Sequence, residues 1–126
     1  MPFVHAVVLV DHHHALIQQF DANAVHAEKV KDHRRYTRQH NSGVRTEHEF
    51  FAEVCDALAG VTEVMVTGSH TAQADFKHYV EKHRPALSPK IVGWETVDHP
   101  SDGQLVALAK TFFAKRDRMR GLNTPT

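Results

Sequence analysis

Residues 61–83, VTEVMVTGSHTAQADFKHYVEKH, place a short apolar run directly before a helical pattern. The run at residues 64–66 is apolar and ends at Gly68, which predicts a buried strand. A buried strand that leads straight into a helix is the unit of a parallel α/β sheet. Ser69 is predicted to be the N-cap of the helix. Apolar side chains then recur at the spacing of one helix face: Ala72, Phe76, Tyr79 and Val80.

The same unit recurs at residues 91–115, so we expect two parallel strands. The chain before residue 61 has three strand patterns, at residues 3–10, 15–20 and 25–31, separated by short polar turns. They predict an antiparallel meander with the third strand at the edge. Between the meander and the central strand, residues 32–44 predict a long loop.

Two capping boxes predict where the other helices begin. The first helix is expected to start at Thr46, whose partner would be Glu49, and to close at Gly60. The last helix is expected to start at Ser101, paired with Gln104. The element order βββαβαβα, with right-handed crossovers, predicts a five-stranded mixed sheet ordered 3-2-1-4-5 with three helices. This is a ribonuclease H-like α/β fold.

Composition indicates one domain over residues 1–119 and a frayed tail at residues 120–126. The formal net charge is zero, so affinity for nucleic acid must come from a local charge asymmetry. The single cysteine, Cys55, falls within a helical pattern and is predicted to be a small buried side chain. The first ten residues read as a strand and not as a secretory leader, and no apolar run approaches the length of a membrane span. We therefore expect a cytoplasmic protein.

The sequence also resembles a known family. Segments VVLVD at residues 7–11, HALI at 14–17 and VMVTGS at 64–69 resemble the middle domain of archaeo-eukaryotic class 1 peptide-chain release factors and their Pelota-type relatives. Through DHPSDGQL at residues 98–105 the chain is similar to small stand-alone bacterial proteins called translational machinery proteins. The resemblance covers about residues 3–115 and depends on the order and spacing of short motifs.

The family resemblance implies the fold and a link to the ribosome or to RNA. In the release factors, the loop after the third strand carries a Gly-Gly-Gln tripeptide that enters the peptidyl-transferase centre. The corresponding residues 32–44 contain Gln39 and Gly43 but no Gly-Gly-Gln. The resemblance therefore does not imply peptidyl-tRNA hydrolysis, and a non-catalytic accessory protein is favoured over an enzyme.

Residues 29–45 are strongly basic, with six Lys or Arg against the single acid Asp32. A basic loop with an aromatic side chain suits RNA, since cations contact phosphates and a ring stacks on a base. The alternative is a solvated loop whose charges only keep the protein in solution. The predicted RNA-binding residues are Lys29, Lys31, Arg34, Arg35, Tyr36, Arg38 and Arg45.

The predicted sheet order brings the carboxyl ends of strands 1, 4 and 5 to one rim, where ligands of open α/β sheets bind. Imidazole and carboxylate groups there suit zinc or another divalent ion, and two helix N-termini suit phosphate. A metal-dependent hydrolase is thus the alternative function. A second interpretation is that the acids cap turns and the histidines are solvated. The candidate metal ligands are Asp11, His12, His70, Asp98 and His99.

Two further hypotheses concern the same elements. A ribonuclease H-type site would need carboxylates converging on two magnesium ions, for which Asp11, Glu49 and Glu53 are candidates. The central strand ends in Thr67-Gly68 and supplies no acid, which disfavours this site. The third strand, as an edge, could also pair between subunits of a homo-oligomer.

Overall fold

The computed structural model describes residues 4–11, 14–21, 23–31 and 42–119, with side chains of the last range from residue 48 onward. No helix in these ranges combines the length and the apolar character that crossing a membrane requires. A 3-10 helix, Ser88–Lys90, precedes the last strand. The strands and helices in chain order are β1 (His5–Val10), β2 (His14–Phe20), β3 (Val25–Lys31), α1 (Ser42–Ala57), β4 (Glu63–Gly68), α2 (His70–His83), β5 (Ile91–Thr96) and α3 (Asp102–Met119).

The five strands form one mixed sheet with the order β3-β2-β1-β4-β5. β1 pairs with β2, and β2 with β3, in antiparallel fashion, whereas β4 lies parallel to both β1 and β5. The predicted ribonuclease H-like α/β arrangement and its strand order are confirmed, with three α-helices among the described residues.

Side chains of β1 alternate between the two faces of the sheet, as a strand buried on both sides requires. Ala6, Val8 and Val10 join the core beneath α1 and α2, whereas Val7 joins a smaller core beneath α3. The larger core also buries three phenylalanines, Phe50, Phe51 and Phe76. The smaller core is closed on the helix side by Leu105, Ala109 and Phe113.

The helix N-termini follow the predicted signals in two cases and depart from them in one. Ser69 caps α2, since its Oγ accepts a hydrogen bond from the Ala72 N–H at 3.2 Å. The second capping box is also present, with Ser101 N–H donating to Gln104 Oε1 at 2.9 Å and Gln104 N–H donating to Ser101 Oγ at 3.1 Å.

The predicted start of the first helix at Thr46 is wrong, and so is the extent of the loop at residues 32–44. α1 begins at Ser42 and passes through Gly43. A single glycine within a helix costs only about 1 kcal/mol, so it does not end a helix that packing stabilises. α1 ends at Ala57, and Gly60 follows in a turn with a φ of 92°.

Candidate functional site

The carboxyl ends of β1, β4 and β5 lie side by side, as predicted, and we call this edge of the sheet the rim. Val10 of β1 lies opposite Gly68 of β4, which in turn lies opposite Thr96 of β5. Gly68 has a φ of 143°, and a Cβ atom there would lie 2.2 Å from the carbonyl oxygen of Val10. Only glycine fits at this close approach, so Gly68 sets the packing of the rim.

The side chain of Gln73, on α2, connects β4 and β5 at the rim through hydrogen bonds. Its side chain is buried, and its Nε2 donates to the carbonyl oxygens of Gly68 at 2.9 Å and Glu95 at 3.0 Å. Nε2 also lies 3.3 Å from the Thr96 hydroxyl oxygen. Sequence reasoning missed this residue. Gln73 lies three positions before Phe76 on the buried side of α2, and a polar side chain at such a position signals a buried hydrogen bond.

The predicted metal ligands have local partners or are open to solvent. Asp11 Oδ1 accepts a hydrogen bond from the His14 N–H at 2.8 Å, which closes the first hairpin turn. The side chains of Asp98 and His99 are 97% and 99% exposed, and Asp98 Oδ1 lies 3.7 Å from His99 Nε2. His70 is exposed as the first residue of α2. His12 lies outside the described residues.

Among the described residues, no group of three or more His, Cys, Asp or Glu side chains has an arrangement that could hold a metal ion. The zinc site and the magnesium site therefore stay predictions from the sequence. Neither of them has geometric support in the described part of the chain.

The predicted RNA-binding residues fall at the other end of the rim, beside β3. Lys29 and Lys31 alternate along β3 and share the face of the sheet that carries α3, since Lys29 pairs with Leu16 of the smaller core. Both are exposed. Arg34, Arg35, Tyr36 and Arg38 lie outside the described residues. Arg45 lies in the first turn of α1, where only the backbone is described.

A cavity of about 370 Å³ lies beneath these lysines, between the start of β2 and the start of α3. It is lined by Lys29, Lys31 and His14, and also by the carboxylates Asp11 and Asp102. Two lysines against two carboxylates leave the cavity without a strong positive field. The cations therefore suit a ligand that passes over β3 towards residues 32–41 better than an anion held inside the cavity.

Two further clusters were not predicted. At the opposite end of the sheet, a cavity of about 490 Å³ is lined by His5, Phe20, Lys110 and Phe113 among others. The His5 ring stacks on Phe113 at 4.2 Å between centroids, and its Nε2 lies 3.3 Å from Glu63 Oε1. A histidine at the start of a buried strand is the signal that could have found this cluster.

The second cluster lies between α1 and α2, where His83 contacts the rings of Tyr79 at 4.8 Å and His48 at 5.3 Å. The cavity beside them has a volume of only about 120 Å³. Its residues come from two helices that β4 separates in the chain, so no short motif could have indicated it.

Cys55 is buried, as predicted. Burial raises the pKa of its thiol to about 11, although the nearby Arg84 guanidinium opposes this shift. Since the thiolate is the reactive form, this burial disfavours Cys55 as a nucleophile near neutral pH.

The fold is similar to that of solved structures linked to translation. The Pelota protein of Archaeoglobus fulgidus matches with a TM-score of 0.62 at 16% identity, over 89% of this chain and 32% of that chain. An archaeal translation termination factor, aRF1, matches with a TM-score of 0.58 at 15% identity, over 94% of this chain and 42% of that chain. Dom34 of S. cerevisiae, described as a translation termination-like factor, matches with a TM-score of 0.57 at 9% identity, over 90% of this chain and 35% of that chain.

These matches place the chain in a structural class, the α/β domains found in Pelota, aRF1 and Dom34. The chain spans about a third of the Pelota proteins it matches. No family model and no curated protein matches the sequence. At such low identity the likeness is one of fold, and it agrees with the resemblance noted in the sequence.

Proposed function

We propose that the protein is a translation-related accessory protein that binds the ribosome or structured RNA through its basic segment, residues 29–45. The observation that carries this proposal is the position of Lys29 and Lys31. Both are exposed on one face of β3, at the strand end from which the chain continues into Arg34, Arg35 and Arg38.

The likeness to translation termination and Pelota domains supports the same proposal at the level of fold. The sequence contains no Gly-Gly-Gln, so the proposed role is binding and not peptidyl-tRNA hydrolysis. We place the protein in the cytoplasm, where ribosomes act. The metal-dependent hydrolase remains a prediction from the sequence alone, and metal analysis of the purified protein tests it.

Co-sedimentation with ribosomes, and binding to structured RNA, at two salt concentrations test the proposal. We expect binding to weaken as salt rises, because contacts to phosphates release counterions. A variant with Lys31, Arg34, Arg35 and Arg38 changed to alanine should lose most of this salt-sensitive binding. With about 0.7 of slope per phosphate contact on single strands, its slope in log affinity against log salt should fall by about 3.

A control variant changes four other exposed cations to alanine: Lys77, Lys82, Lys115 and Arg118. It carries the same net charge as the test variant, since both lose four positive charges. We expect the control to bind nearly as well as the natural chain. Equal loss in both variants would mean that only overall charge matters, and undiminished binding by the test variant would exclude the basic segment.

A further inference from the structure

The two edges of the sheet differ in regularity. All seven residues of β3 pair in register with β2, from Val25 opposite Phe20 to Lys31 opposite His14. At the other edge, Val64 lies opposite Ile91 but Met65 lies opposite Gly93, so Val92 is an extra residue in β5. A bulge bends and twists an edge away from further pairing. Of the two edges, β3 is the one suited to accept another strand.

Along β3, residues whose backbone N–H and C=O groups bond to β2 alternate with residues whose backbone groups point away from the sheet. The Asp21 N–H donates to the Ala24 carbonyl oxygen at 3.0 Å, which marks these opposite residues as a hydrogen-bonded pair. In an antiparallel pair, hydrogen-bonded and non-bonded positions alternate. His26, Glu28 and Val30 therefore bond to β2. The groups that point outward belong to Val25, Ala27, Lys29 and Lys31.

Nothing among the described residues pairs with this outward row, since the sheet ends at β3. The side chains of β3 are exposed to solvent as well, with the exception of Val30. Val25 is 47% exposed. Among the described residues, β3 thus presents unpaired outward backbone groups and an exposed valine.

We infer that β3 pairs with β3 of a second copy of this chain, antiparallel about a two-fold axis that passes beside Ala27. In this register the two Ala27 residues form a hydrogen-bonded pair, and Val25 of each copy lies opposite Lys29 of the other. About six backbone hydrogen bonds form from the outward row. The aliphatic stem of Lys29 covers the exposed Val25, while its ammonium group stays in water.

The charges favour this register over those shifted towards the carboxyl end of β3. With the axis beside Ala27, His26 of each copy lies opposite Glu28 of the other at a non-bonded position, where side chains approach most closely. An axis one residue further on would place Glu28 opposite Glu28. Two residues further on it would place Lys29 opposite Lys29. Like charges directly opposite each other are destabilising, so both alternatives are disfavoured.

This pairing is independent of the proposed function, because the RNA-binding variants leave Ala27 and its neighbours unchanged. In the dimer, the Lys31 residues of the two copies lie about 27 Å apart along the strand direction. Both basic segments therefore begin at the outer ends of the shared strand pair. Failure of RNA binding would not affect the dimer, and the reverse also holds.

Light scattering and analytical ultracentrifugation over a range of concentrations test the inference, with Ala27→Pro as the first variant. The Ala27 N–H points outward, so proline there removes no hydrogen bond within the subunit but blocks pairing across the axis. We expect the natural chain to form dimers and Ala27→Pro to dissociate at least tenfold more readily. Circular dichroism checks that the variant is folded.

A second pair of variants does not depend on proline. Glu28→Lys should weaken the dimer, because it replaces the acid that lies opposite His26 with a cation, whereas Glu81→Lys on the exposed side of α2 makes the same change in charge without effect. Ala27→Cys in both copies should be joined across the axis by a short bifunctional thiol cross-linker, since Cα atoms of a hydrogen-bonded pair lie about 5.5 Å apart. The matched control is Ala74→Cys, which is exposed on α2.

Three results would overturn the inference. The natural chain could remain monomeric at every concentration reached. A folded Ala27→Pro variant could form dimers as readily as the natural chain. Ala27→Cys could cross-link no faster than Ala74→Cys, and the native Cys55 does not confuse this comparison because it is buried in both variants.

Discussion

The parallel half of the sheet, β4 and β5, and the antiparallel half, β2 and β3, are joined to the rest of the molecule in different ways. In the parallel half, buried side chains bond to distant strands. Thr67 Oγ1 donates to the Val8 carbonyl oxygen at 2.7 Å, and Gln73 Nε2 donates to the carbonyl oxygens of Gly68 and Glu95. Two of these contacts, Thr67–Val8 and Gln73–Glu95, join residues that are far apart in the chain, because parallel strands need long crossovers.

The turns of the antiparallel half are closed by local contacts, although β2 also bonds to two helices, since Gln18 Nε2 donates to the Asp102 carbonyl oxygen at 3.1 Å and Gln19 Nε2 to the Ala57 carbonyl oxygen at 2.9 Å. Asp21 Oδ1 accepts hydrogen bonds from the Asn23 and Ala24 N–H groups, both at 2.8 Å, and so closes the turn between β2 and β3. Asp11 has the same role in the turn before β2. The comparison teaches that the parallel half, in which five of the six residues of β4 are buried, is the frame of the sheet. The outer strand β3 is free to serve in recognition, since changes there affect few buried groups.

The largest expected effect is that of Gly68→Ala, at the centre of the parallel half. Its Cβ would lie 2.2 Å from the Val10 carbonyl oxygen, and its backbone has a φ that side chains disfavour. We expect a loss of about 3 kcal/mol in the free energy of unfolding. Urea unfolding followed by the fluorescence of Trp94, the single tryptophan, measures it.

Gly103→Ala is the matched control, since a Cβ at Gly103 meets nothing within 4 Å. This control should be neutral or slightly stabilising, because Gly103 lies within α3, where alanine is the better helix former. Similar losses in the two variants would show that the close approach of Gly68 to Val10 does not restrict the rim.

A second comparison uses one glutamine in each half. Gln73→Leu should lower the free energy of unfolding by about 2 kcal/mol, because it removes the hydrogen bonds from Nε2 to the buried carbonyl oxygen of Gly68 and the partly buried one of Glu95. Gln19→Leu removes a single, partly buried bond to the Ala57 carbonyl oxygen and should cost about 1 kcal/mol. The same unfolding assay ranks them. If Gln19→Leu proved the more damaging, the parallel half would not be the frame.

The smallest expected effect is that of Asp21→Ala in the turn before β3. It removes two exposed hydrogen bonds to the backbone and should cost about 1 kcal/mol. Hydrogen exchange should show faster opening of β3 with little change in β4. Asp98→Ala is its control, since that side chain is 97% exposed, and it should change stability by less than about 0.5 kcal/mol. Equal exchange in β3 and β4 would argue against separate behaviour of the two halves.

The sequence predicts the parts of this fold that depend on local signals. The apolar run of β1, the N-cap Ser69 and the Ser101–Gln104 capping box each act within a few residues, and each is confirmed. The strand order follows from the short turns of the meander and from the handedness of crossovers, so it too could be predicted.

Features that depend on contacts between distant residues could not be predicted. The three acceptors of Gln73 belong to β4 and β5, and the extra residue Val92 in β5 is defined only by its pairing with β4. For the candidate site, topology predicts which strand ends are neighbours. It does not fix the direction of the side chains, and Asp11 is engaged in a turn while Asp98 and His99 face solvent.

The extra residue in β5 has a consequence for assembly. A sheet with two competent edges would add copies head to tail without limit, and open-ended addition of this kind produces fibres. In the inferred dimer, association through β3 would leave only the β5 edge among the described strands, and Val92 disrupts that edge. The irregular strand would thereby keep the inferred assembly closed at two chains.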